Sequence, residues 1–146
     1  GAADRLAIHR KESRPMPTVP LLSDDQAAPE ARAVFDAIRA ARGTDYVNNF
    51  WRALAQDPAL LRATWDRLGA VMAPGALDPL VKELIYIAVS TANGCSYCVH
   101  SHTAAARARG MTPDQHGELL AVIAMAMQTN ALATALQVET DDRFRA

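Results

Sequence analysis

The sequence predicts an all-α protein, a single bundle of six or seven helices. Ala, Leu and Arg, which enter helices at low cost, are abundant, and aromatic residues make up only 5% of the chain. Apolar residues recur three and four positions apart in several segments, and no run alternates apolar and polar residues as a half-buried strand does. Proline, glycine and short polar residues fall where helices start and stop.

Each element follows from those signals. Residues 1–20 carry Pro15, Pro17 and Pro20 among charged side chains, which predicts an extended arm ahead of one helical domain spanning residues 21–146. A first helix runs from Pro29 through Val34, Phe35 and Ile38, with Gly43 as its C-terminal cap. Asp57-Pro58 is an N-cap followed by a first-turn proline, and Leu61, Trp65, Leu68 and Met72 share one face before Pro74-Gly75 ends the run. Asp78-Pro79 repeats the start signal for a third helix, rich in Leu, Val and Ile, that stops at Asn93-Gly94. Ser96 to Arg109 reads as a fourth, closed by Gly110. Thr112-Pro113-Asp114-Gln115 is a capping box, and the stretch Leu119 to Leu136 behind it is apolar nearly all round, with a polar break at Thr129-Asn130 that divides it. Such a stretch suits a central core helix or a subunit interface, and in so small a protein part of it is expected at an interface. Trp51 and Trp65 are expected as core or interface anchors, and His9 and His116 as surface residues.

Composition excludes several functions. A formal net charge of −1 supplies no basic surface for nucleic-acid phosphates. Gln128, Thr129 and Asn130 interrupt the longest apolar run, so no membrane span is expected. The charged N-terminus does not read as a signal peptide. Two cysteines three positions apart do not staple a secreted domain, and a reducing, cytoplasmic location is expected.

The chemistry concentrates around those cysteines. Cys95, Cys98 and His102 stand at i, i+3 and i+7, on one face of a helix that begins near Cys95. Its N-terminal dipole favours thiolate over thiol. His102, one turn after Cys98, is placed to take or stabilise the Cys98 proton, and Cys95 is close enough to close a small disulfide ring. Glu83 lies ten residues before Asn93 and His102 seven after Cys95. If the two helices form an antiparallel hairpin, they sit roughly 15 and 10 Å from the turn, within reach of each other. A carboxylate there would orient the imidazole, so Glu83, Cys95, Cys98 and His102 form a possible proton relay. Blander readings stand beside this one: buried, inert thiols; a zinc clip from Cys95, Cys98 and two of His100, His102 and Glu83; an exposed Glu83; and Tyr97 as a wall or turn residue.

Glu83, eleven intervening residues, then Cys95-Ser96-Tyr97-Cys98-Val99-His100-Ser101-His102 resembles the alkylhydroperoxidase D family of the carboxymuconolactone decarboxylase superfamily. The resemblance covers roughly residues 50–110. It implies an all-helical fold, trimers or hexamers, and reduction of a hydroperoxide substrate by a cysteine pair that an external dithiol or protein reductant regenerates. It makes Cys98 the peroxidatic cysteine, Cys95 the resolving cysteine and proton donor, and Glu83 and His102 the rest of the relay. No organic cofactor is required. One position departs from the best-known peroxidase members, which have a histidine before the second cysteine where this chain has Tyr97. The superfamily's lyases share the fold without depending on a Cys-x-x-Cys pair, so a decarboxylase is the alternative, together with a non-catalytic zinc-binding or redox-sensing oligomer.

Overall fold

The computed structural model describes residues 16–145. The predicted arm lies mostly outside the described residues; its final part, Met16 to Pro20, is exposed and without regular structure. The described residues form six α-helices, one 3-10 turn and no strand, as the sequence predicts. The helices are α1 (Pro29–Arg42), α2 (Asn49–Leu54), α3 (Pro58–Met72), α4 (Pro79–Ala92), α5 (Ser96–Ala108) and α6 (Pro113–Ala135). A 3-10 turn, Asp142–Phe144, follows.

The cap signals act as read. Gly43 adopts φ 62°, the left-handed conformation that closes α1. Asp57 accepts the Leu60 N–H at 3.0 Å ahead of α3, and Asp78 accepts that of Leu80 at 2.8 Å at the start of α4. Thr112 and Gln115 complete the capping box of α6. Among the described α-helices only α2 is unforeseen: six residues are too few to display a helical period, and its Asn48 N-cap makes no capping bond through its side chain.

The chain divides into two compact units at Gly69/Ala70. In the first, Val34, Phe35 and Ile38 of α1, Val47, Trp51 of α2 and Leu61 of α3 form a tightly buried core. Trp65 packs edge-on to Trp51 at 5.3 Å between ring centroids, so both tryptophans serve as core anchors. Asp24 takes guanidinium groups from both Arg39 and Arg52. The Arg39 hydrogen bond above all holds its carboxyl below the usual range, against the opposing effect of burial.

In the second unit α4 packs against α5 and α6. Its buried core is smaller: Ile87, Ala106, Met111 and Ile123, flanked by Leu80, Leu84, Ala88 and Leu119. His116 is partly buried, correcting its expected surface position, because it shares the α6 face of Leu119 and Ile123.

Helix α6 brings two further corrections. It is continuous over 23 residues, without a division at Thr129-Asn130. The Thr129 hydroxyl turns back onto the carbonyls of Met125 and Ala126, each at 3.1 Å, so the polar residue satisfies itself within the helix. By length and composition alone α6 is apolar enough to cross a bilayer, despite Gln128, Thr129 and Asn130. Neither is it a core helix within this chain. Ile123 is its one buried residue among those described, and Leu120, Val122, Met125, Met127 and Leu132 are about half exposed or more.

Candidate active site

The site belongs to the second unit and is built from the α4–α5 hairpin. Gly94, at φ 69°, makes a turn that a side-chain-bearing residue would adopt only under strain, and the Cys95 N–H then donates to the Ser90 carbonyl at 2.9 Å. Cys95 becomes the N-cap of α5, and its sulfur accepts the Cys98 N–H at 3.3 Å. The two partly buried cysteines are joined in a disulfide with a Cα separation of 5.3 Å, at the positive end of the helix.

Seven residues beyond Cys95, the His102 Nδ1 lies 2.7 Å from Glu83 Oε2. Glu83 is only 4% exposed, which removes the reading of it as a surface charge. A carboxylate offers acceptors only, so this bond calls for hydrogen on Nδ1 and leaves Nε2 of a neutral ring as an acceptor. The second carboxylate oxygen takes Arg109 Nε at 3.3 Å. A buried carboxylate is thereby satisfied from two sides, as burial in a low-dielectric interior requires.

Two contacts around this pair carry no obvious sequence signal. Tyr86, one turn after Glu83, stacks on His102 with ring centroids 3.6 Å apart and planes 19° from parallel. Arg109 stands seven residues after His102, so its helical face is legible, but nothing in the sequence pairs it with Glu83. His100 is exposed, and Tyr97 lies in the exposed first turn of α5. Among the described residues no three His, Cys, Asp or Glu side chains converge as a metal-binding set, so the zinc clip finds no ready donor cluster.

A cleft of about 560 Å³ opens beside the cysteines, both of which line it. Met72, Leu77, Ile85 and Val89 make its wall largely apolar, and Tyr86 belongs to it as well as to the His102 stack. Lys82 also lines it and ties two backbone carbonyls near the end of α3, Val71 at 2.8 Å and Ala73 at 2.5 Å.

Fold and site together define an all-α protein with a Cys-x-x-Cys disulfide at a helix start and a buried Glu–His pair behind it. The profile of the Carboxymuconolactone decarboxylase family matches residues 58–141, and the chain belongs to that family. The crystal structure of the alkylhydroperoxidase AhpD core from Rhodospirillum rubrum is similar, with 61% identity and a TM-score of 0.87 over 90% of this chain and 99% of that one. Alkyl hydroperoxide reductase AhpD of Solibacter usitatus is 39% identical over 71 residues, 49% of this chain and 38% of the relative. The enzyme of that name from Maricaulis maris is 30% identical over 127 residues, 79% of this chain and 68% of its own length. This chain therefore spans well under half of the Solibacter relative and about two thirds of the Maricaulis one. The fold and the alkylhydroperoxidase-like affiliation expected from the sequence both hold.

Proposed function

We propose that this chain is a thiol-dependent peroxidase that reduces an organic hydroperoxide through Cys98 and Cys95. The observation that carries the reading is the Cys95–Cys98 disulfide at the start of α5, one helical turn from a histidine held by a buried carboxylate. In the reduced form the Cys98 thiolate attacks the distal peroxide oxygen. The O–O bond breaks, the alkoxide takes a proton supplied through His102 and leaves as an alcohol, and Cys98 becomes a sulfenic acid. The Cys95 sulfur then displaces hydroxide, which leaves as water, and the disulfide forms. An external dithiol or protein reductant supplies two electrons and two protons to restore both thiols. Glu83 positions His102, and Arg109 and Tyr86 position that pair from either side.

The names of the relatives, alkyl hydroperoxide reductase and alkylhydroperoxidase, support a peroxide substrate. The test is titration of freshly reduced protein with a small organic hydroperoxide, counting thiols and peroxide. Two thiols lost per peroxide are expected, with no peroxide-driven disulfide in Cys98→Ser; turnover undiminished by that substitution would refute the mechanism. The family's own name favours one second reading, a carbon–carbon lyase, which should survive alkylation of both cysteines where a thiol peroxidase should not. The reading includes a reducing cytoplasm and assembly into trimers or hexamers, the assembly supported by the exposed apolar surface of α6. Sedimentation at the mass of a monomer would count against assembly.

A further inference from the structure

The cleft beside the disulfide is largely apolar but carries one cation. Among the described residues lining it only Lys82 is charged, and no described carboxylate pairs with that side chain. Its ammonium has three donors, of which Val71 and Ala73 carbonyls take two. Those acceptors carry only the partial negative charge of a helix end, so among the described residues the ammonium has no carboxylate partner at its partly buried position, and one N–H remains for an anion.

The fold also sets a length. Lys82, Tyr86, Val89 and Asn93 line the same cleft along α4, and Asn93 is followed by the turn into Cys95. From Lys82 to Ser90, whose carbonyl accepts the Cys95 N–H and so marks the level of the disulfide, is eight residues, a rise of roughly 12 Å. The Lys82 side chain reaches further back, to the end of α3, which lengthens the span. An extended alkyl chain built from ~1.5 Å bonds advances roughly 1.25 Å per carbon, so about ten to fourteen carbons bridge the ammonium and the disulfide.

We propose that this cleft binds a linear, medium-to-long-chain carboxylate, its head on Lys82 and its chain along α4, so that the physiological substrate is a fatty-acid-like hydroperoxide with its peroxide near Cys98. The substrate claim rests on the peroxidase reading; the binding claim does not. Lys82 acts as a specificity determinant, and the chemistry it selects is an anionic head joined to an apolar chain of set length.

The experiment has a binding arm and a turnover arm, both on the full chain. Calorimetric titration of the oxidised protein with dodecanoate and with 1-dodecanol, below their aggregation limits, should show the acid bound about 10-fold or more tightly, as a charge-assisted hydrogen bond provides. Octanoate should bind more weakly than dodecanoate. In Lys82→Gln the acid-to-alcohol preference should fall to about one, and Lys82→Arg should restore it. A lost helix tether alone would weaken both ligands and leave the preference intact. The wild-type comparison stands even if Lys82→Gln folds poorly. Equal affinity for acid and alcohol, no binding of either, or a preference unmoved by Lys82→Gln would overturn the proposal. The turnover arm compares 12-hydroperoxydodecanoate with tert-butyl hydroperoxide. A lower KM for the acid, lost in Lys82→Gln, is expected. Reduction of tert-butyl hydroperoxide without Lys82-dependent dodecanoate binding refutes this inference alone. Lys82-dependent binding without reduction of either peroxide upholds the binding site and refutes the peroxidase.

Discussion

The unit ending at Gly69 buries Phe35, Ile38, Trp51 and Leu61 and keeps its ion pairs, Asp24 with Arg39 and Arg52, at partly exposed positions. The unit beginning at Ala70 reverses both habits: it buries a glutamate at 4% exposure and leaves most of α6 uncovered. The first arrangement serves stability, because apolar burial is favourable and the charges keep their water. On the proposed function, the second sacrifices some stability for chemistry. A buried carboxylate held by His102 and Arg109 is a costly arrangement, and on that reading it holds the histidine one helical turn from Cys98 in position.

Substitutions should separate the two units, and the largest effect belongs to the second. Cys98→Ser is expected to abolish peroxide-driven thiol oxidation while the chain keeps its helical circular dichroism; full activity in this variant would remove the functional half of the contrast. Phe35→Ala, in the first unit, should do the opposite, lowering stability by about 3–5 kcal/mol in urea unfolding. If it instead left the unfolding midpoint unmoved, the first core would not be the stabilising one.

Glu83→Gln keeps the shape of the side chain but weakens its hold on His102 and Arg109, and should slow thiol oxidation by about 10- to 100-fold. A change in the pH–rate profile, not merely in amplitude, distinguishes a positioning role from general loosening. Arg109→Gln should act in the same direction and less strongly, since its contact is longer, 3.3 Å against 2.7 Å.

The smallest effect concerns acid stability in the first unit. Asp24 has a folded-state pKa below its unfolded value, chiefly through Arg39. Its stabilisation is therefore present above the ordinary carboxylate range near pH 4 and is lost as pH falls through the folded value. Because the pair is partly solvated, Asp24→Asn should cost less than about 1 kcal/mol at pH 7 and reduce the loss seen as the pH falls below about 4. Acid unfolding curves of the two proteins check this.

How far the sequence is legible follows the same division of causes. Helices α1 and α4 announce themselves through local chemistry at both ends, a first-turn proline at the start and Gly43 or Gly94 behind the end, while α3 is marked by Asp57-Pro58 at its start and Pro74-Gly75 after its end, and α5 by Gly110. The Glu83–His102 contact is also readable, because two helices joined by a short turn place residues at comparable depth by rise alone. What escapes is set by contacts across the sequence. The Tyr86 stack depends on the rotation of α4 against α5, and the Arg109 bond on which carboxylate a long side chain meets. Thr129 misleads because its hydroxyl looks polar in the sequence yet is consumed inside its own helix.

The Cys95 sulfur caps α5, and the same sulfur is part of the disulfide. The proposed cycle thus acts on the first turn of a helix as well as on a pair of side chains. Reduction would replace the disulfide sulfur of Cys95 with a thiol sulfur, a different acceptor for the Cys98 amide. The amide proton of Cys98 then becomes an internal gauge of electron supply: its chemical shift and exchange rate should track the redox state of the protein without any added reporter.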